Sequence, residues 1–97
     1  MQNKDLTLNI YGQVEQINTE QYVTTKGHRY DVVKIRIKTQ SSSYEVTARE
    51  KVIKLTKGVI VGDWLNVTAN VVCRYTAKYT FISLDIVNLV NTSQYAN

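Results

Sequence analysis

The chain has 97 residues, 43% of them hydrophobic, which is enough for one core but not two, so a single domain over residues 1–97 is expected. One cysteine excludes an internal disulfide framework, and with no apolar run near the roughly 20 residues that cross a bilayer and no apolar leader after Met1, a cytoplasmic protein is expected. The net charge of +4 leans towards acidic partners but falls well short of a histone-like density.

From Leu6 to Ile17, Leu8, Ile10 and Val14 recur at even positions while Asn9, Gln13 and Glu15 take odd ones, the pattern of a long half-buried strand. Gly12 interrupts it at an inward position, where a missing side chain lets a strand bend and serve two sheets. Asn18 to His28 is polar and contains Gly27, so it reads as a long hairpin loop. The second strand, Arg29 to Thr39, puts Val33, Ile35 and Ile37 on one face and Lys34, Arg36 and Lys38 on the other. Tyr30 heads the basic row, and no acid on this face of the strand balances the charge.

Gln40 to Ser43 turns the chain back into a third strand, Tyr44 to Arg49, where Val46 and Ala48 share the parity of Tyr44. With Val46 inward, Arg49 joins the basic face, and Tyr44 either packs half-buried in the core or stacks on a base. Glu50 to Lys57 changes period and suits a two-turn helix, with lysines near its end and Gly58 as its cap. A turn over Val59 to Asp63 leads into a strand from Trp64 to Cys73 with Leu65, Val67, Ala69 and Val71 inward and Cys73 a small buried hydrophobe. After a polar connection, Arg74 to Lys78, the last strand runs from Tyr79 to Val90, with Ile82, Leu84 and Ile86 inward and Tyr79, Phe81, Ser83 and Asp85 outward. Asn91 to Asn97 reads as a short flexible tail.

Five strands, a helix between the third and fourth, and a glycine bend in the first predict an all-β, five-stranded Greek-key barrel of the OB type, its helix plugging one end. An SH3-like barrel is the competing fold, and it usually lacks a helix at this position.

Ile10-Tyr11-Gly12-Gln13-Val14, the third strand running into Ala48-Arg49-Glu50-Lys51-Val52-Ile53, Leu55-Thr56-Lys57-Gly58, and Val61-Gly62-Asp63-Trp64-Leu65-Asn66-Val67 resemble the OB-fold single-stranded DNA-binding proteins of bacteria and their phages. The closing stretch from Lys78 to Ile86 fits that family's last hairpin, so the resemblance spans nearly the whole chain. It implies a protein that binds and coats single-stranded DNA with little sequence preference in replication, recombination or repair, often as a dimer or tetramer. The chain closes on Ser93-Gln94-Tyr95-Ala96-Asn97 without acids, so the acidic-tail recruitment of replication proteins seen in bacterial members is not expected. The family's third strand commonly presents a Trp and a Phe for stacking, whereas here it offers only Tyr44.

Sequence-tolerant binding of single strands needs cations along the phosphates and aromatic rings under the bases. In OB barrels the outer face of strands two and three, with the tips of hairpins one-to-two and four-to-five, forms the cleft. The candidates are therefore Tyr30, Lys34, Arg36 and Lys38 on strand two, Arg49 on strand three, Arg29 at the first tip with Lys26 and His28 beside it, and Arg74, Tyr75, Lys78 and Tyr79 at the second tip. Seven tyrosines in so short a chain, several beside a cation, favour this reading over a merely solvated basic face. Trp64 can cover the barrel's open end or stack on a base, and Tyr11 and Phe81 can stack or pack between subunits. His28, the only histidine, and the distant Cys73 make no metal-ligand set, and no cofactor is expected. The acids are scattered and no phosphate loop or nucleophile constellation is present, so an enzyme is not expected. Two other readings stand beside DNA coating: an OB-type interaction or assembly module, and an RNA-binding OB domain.

Overall fold

The computed structural model describes residues 6–75 and 77–95. Five strands, β1 (Leu6–Val23), β2 (Arg29–Lys38), β3 (Ser43–Arg49), β4 (Trp64–Tyr75) and β5 (Thr80–Asn91), close into a barrel in the order β1-β2-β3-β5-β4. A helix separates β3 from β4, as the element order predicts, but it is a 3-10 helix, Glu50–Thr56, instead of two α-helical turns. Glu50 enters it at φ 53°, and Gly58 leaves it at φ 81°, a conformation that glycine adopts without steric penalty. Val52, Ile53 and Leu55 of this helix pack against the barrel core.

β1 does two jobs. Its first half, Leu6–Gln13, pairs with β4, and its second half, Gln13–Val23, pairs with β2. Gly12 sits at the changeover. A Cβ built there would stand 2.4 Å from the Lys38 carbonyl oxygen and 2.7 Å from Ile37 Cγ2, so only glycine lets β1 pass this close to β2. A bulge between Val14 and Gln16 then resets the side-chain alternation, so that Val14 and Ile17, three residues apart, both meet the core. A second bulge, between Thr68 and Ala69 of β4, leaves Val87 of β5 without an opposite number, and Ile86 and Leu89 both turn inward.

The core is the inward row of every strand, with Ile35, Ile37, Val46, Leu65 and Val67 fully buried. Burying each such side chain contributes about 1.5–3 kcal/mol. β3 and β5 run parallel and meet at Thr47 opposite Asp85, which closes the barrel.

Three further expectations are corrected. Asn18–Val23 is strand, not loop: β1 continues to Val23 and pairs with Arg29–Lys34, and only Thr24–His28 forms the turn, held by Gly27 N–H donating to Thr24 O at 2.9 Å and His28 N–H donating to Thr24 Oγ1 at 3.1 Å. Ile82 and Cys73 are exposed instead of buried, Ile82 at 67%, because they lie opposite each other on the β4–β5 hairpin beyond the reach of the core. Residues 92–95, expected within a flexible tail, form a second 3-10 helix. Trp64 N–H donates to Ser93 Oγ at 2.7 Å and the Thr92 hydroxyl donates to Trp64 O at 2.8 Å, so this helix holds both backbone polar groups of Trp64.

Candidate nucleic-acid interface

The outer face of β2 carries Tyr30, Val32, Lys34, Arg36 and Lys38 in one row, about 26 Å long at the rise of a strand. Arg36 and Lys38 are exposed and make no ion pair among the described residues. Val32 is only 1% exposed although it shares the parity of the charged residues, so a buried apolar side chain separates Tyr30 from Lys34 in the row.

The row is not free of acids, contrary to the reading of the strand alone. Lys34 Nζ lies 3.1 Å from Glu20 Oε1, a carboxylate delivered by the part of β1 that continues past Ile17. The Tyr22 hydroxyl donates to the same oxygen. The hydrogen bond from Tyr22, and then that from Lys34, hold the Glu20 carboxyl below its ordinary pKa, and the bond to Glu20 raises that of Lys34. Arg49, half-buried, places Nε 3.4 Å from Asp85 Oδ1 across the seam between β3 and β5. Two of the expected phosphate-binding cations thus already have carboxylate partners.

Each end of the row carries an exposed aromatic stack. Tyr30 stacks on Tyr22, its opposite number on β1, with centroids 5.5 Å apart and planes at 25°. At the Lys38 end, Tyr11 stacks on Trp64, with centroids 5.5 Å apart and planes at 28°. The register accounts for this second stack: Gln13 of β1 stands between Trp64 of β4 and Lys38 of β2, and Tyr11 is two residues from Gln13 on the same face. Tyr11, Trp64 and Lys38, together with the turn Thr39–Ser41, line a cleft of about 810 Å³.

The remaining candidates lie elsewhere. Arg29 is exposed at the base of the β1–β2 turn, opposite Val23. Tyr75, 76% exposed, and Lys78 and Tyr79 belong to the β4–β5 hairpin, where the Tyr79 and Phe81 rings lie 5.9 Å apart. Arg74 pairs with Phe81 through the backbone, and its side chain lies outside the described atoms. Because β5 runs parallel to β3, this hairpin extends towards the Ser43 side, away from the β1–β2 turn. Tyr44, half-buried, packs against the core. No group of three or more His, Cys, Asp and Glu that could hold a metal occurs among the described residues. Nor is any helix among them long and apolar enough to cross a membrane.

The sequence reading missed Glu20, Tyr22 and the Tyr11–Trp64 pair. Tyr22 was hidden by the loop assignment. The outward parity of Tyr11 was visible, but its neighbour is 53 positions away and becomes one only through the pairing of β1 with β4.

No protein-family model matches the chain, and no curated protein matches its sequence. Its fold is similar to that of the mitochondrial single-stranded DNA-binding protein Rim1 of S. cerevisiae, with a TM-score of 0.64 and 20% identity over 91% of this chain and 96% of that one. A selenomethionine-labelled form of Rim1 gives a TM-score of 0.67 at 18% identity, covering 92% and 95%. The small single-stranded DNA-binding protein of Streptomyces coelicolor gives 0.61 at 12% identity, covering 98% and 99%. At these identities the likeness is one of fold, and the barrel is of the OB type, as expected from the order of its elements.

Proposed function

We propose that this protein binds and coats single-stranded DNA with little sequence preference, acting in replication, recombination or repair in a bacterial or phage-infected cell. The observation that supports this reading is the basic row on the outer face of β2, Arg36 and Lys38 above all, bounded at each end by an exposed aromatic stack. Cations at strand spacing suit a phosphate backbone, and rings offer any base a flat face, so neither element needs a particular sequence. The similarity of the fold to two proteins named for single-stranded DNA binding agrees with it. Arg29 and the β4–β5 residues Arg74, Tyr75, Lys78 and Tyr79 extend the proposed surface on either side of the row.

The test is a titration with fluorescent oligo-dT of about 30 nucleotides, within the span of a few OB-fold sites, at two salt concentrations and with duplex competitor. Salt-sensitive binding that duplex does not compete away is the expected result. Equal competition by duplex overturns single-strand selectivity, and a matched RNA oligomer that outcompetes DNA moves the reading to an RNA-binding domain.

One observation favours association of copies, as the dimer or tetramer we expect or as an assembly role in its own right. Leu6, Leu8 and Ile82 share the inward side of their strands yet are exposed, where the barrel wall outruns its core. Sedimentation of the protein alone tests this, with a monomer at all concentrations as the contrary result.

A further inference from the structure

The cleft at the Lys38 end contains residue types that a solvated barrel surface does not require in one place. One wall is aromatic, the stacked pair Tyr11 and Trp64, exposed at 55% and 42%. The facing wall is polar: Lys38, Gln40 and Ser41, with Gln13 between the two. Its volume of about 810 Å³ falls among ligand pockets, which run from about 300 to 1,000 Å³.

All sides of the cleft are held in place. Trp64 is fixed at its backbone by Ser93 and Thr92. The turn that carries Gln40 and Ser41 is pinned by Thr39, whose hydroxyl donates to Ser42 O at 2.9 Å and accepts from Ser41 N–H at 3.3 Å and Ser42 N–H at 3.2 Å. Gln13 Nε2 donates to Gly62 O at 3.0 Å, and its Oε1 is left as an acceptor. Gly12, lacking a Cβ, lets β1 pack directly against the Lys38 backbone. Rings and polar groups fixed in this way bind without a large ordering cost.

We propose that this cleft is a subsite for one unpaired nucleotide of the bound strand. The base stacks on the exposed surface of the Tyr11–Trp64 pair, Lys38 takes the adjoining phosphate, and Gln13, Gln40 and Ser41 meet the polar edge of the base. The inference rests on the reading of the protein as a single-strand binder, and it carries the strand's path beyond β2 onto β1 and β4. A second copy of the chain is the less suitable occupant: the polar groups beside the rings would need partners on an apolar interface, whereas a nucleotide brings a negative charge for Lys38 and hydrogen-bonding edges for the amides.

The chain contains a single tryptophan, so emission excited at wavelengths that tyrosine does not absorb comes from this cleft. Unlabelled oligo-dT of about 30 nucleotides, a length that reaches across an OB-fold site, is titrated while Trp64 emission is followed, and labelled oligomer is followed in parallel by anisotropy. Quenching that saturates together with the anisotropy is expected, with acrylamide reaching Trp64 less well in the complex. Tyr11→Ala should weaken binding by about fivefold or more, the low end for losing one stacked base, while its circular dichroism shows that it folds.

If the anisotropy saturates while Trp64 emission stays unchanged and Tyr11→Ala binds like the parent, the cleft lies off the strand's path and the proposal fails, though single-strand binding stands. If neither signal responds, the underlying function fails and takes the subsite with it. Emission that changes with protein concentration alone, and is then indifferent to oligomer, assigns the cleft to a second copy and overturns the proposal. Thymidine monophosphate saturating the quench as tightly as the oligomer makes it a free-nucleotide site and overturns the strand subsite as well.

Discussion

The two ends of the β2 row are made of the same parts and behave differently. Each has a pair of stacked rings next to a lysine: Tyr22 and Tyr30 beside Lys34, and Tyr11 and Trp64 beside Lys38. The first end lies towards a two-stranded arm where β1 and β2 pair only with each other, and its lysine is already bound to Glu20. The second end sits on the closed barrel between β4, β1 and β2, its backbone fixed by side chains from three segments, and its lysine has no acid within ion-pair distance among the described residues. Similar composition therefore gives one end that is charge-compensated and laterally unsupported, and one that is charged and rigid. A phosphate must displace a carboxylate at the first and only water and counterions at the second.

The largest expected effect breaks the rigid end. Gly12→Ala places a methyl group against the Lys38 carbonyl, a backbone atom that cannot step aside. It should cost about 3 kcal/mol, at the upper end for overpacking, and lower the melting temperature by roughly 12–24 °C for a domain of this size. A fall of less than about 4 °C would mean that β1 and β2 can separate here freely, and the rigidity of this end would be lost from the comparison.

Next come the cations. Arg36→Ala should flatten the dependence of log K on log salt by about 0.7, the value for one phosphate on a single strand. Lys34→Ala should flatten it by less, because Glu20 already neutralises that lysine. Equal changes in both variants erase the charge difference between the ends. Glu20→Gln sharpens the same point from the other side. It should tighten binding and steepen the slope by up to about 0.7, and in its background Lys34→Ala should match Arg36→Ala.

The smallest effect is on stability against pH. The pKa of Glu20 is lowered from 4.5, so its contribution to stability is present above 4.5 and is lost as the pH falls through the lowered value. The pKa of Lys34 is raised from 10.5, so its contribution is present below 10.5 and is lost as the pH rises through the raised value. The pair is accessible to solvent, which screens it, so acid should change the ring resonances of Tyr22 and Tyr30 while the melting temperature hardly moves. A large acid-induced fall in melting temperature that Glu20→Gln abolishes would show the pair to be a main support of the arm.

What could be read from the sequence follows from where the core reaches. In β2, Val33, Ile35 and Ile37 alternate with cations because one side of the strand is buried along that length, and in β1 the glycine at an inward position marked the place where one strand turns to serve two partners. The arms have no such contrast. Asn18–Val23 is strand by virtue of pairing with β2, with few of its side chains shielded from water, so it lacked the alternation that signals a strand. Ile82 had the right parity, but it projects past the end of the core. The bulges at Val14/Gln16 and Thr68/Ala69 shift the alternation by one, which no pattern of apolar residues announces in advance. The cleft depended on the pairing of distant strands, and the compensation of Lys34 on the extension of β1. Both are consequences of register, which forms only with the sheet.

The seam between β3 and β5 has a dynamic meaning. Among the described residues Thr47 opposite Asp85 is the one register pair between these strands, whereas β1 and β2 are paired continuously on both sides of a bulge. A ring of strands opens first where it is least laced, so native-state hydrogen exchange should proceed there through small local openings instead of global unfolding. Arg49 and Asp85 bridge that slit, and it borders the strand beside the basic row, so a bound polyanion that draws Arg49 away from Asp85 would unfasten the barrel along a line chosen by its own topology.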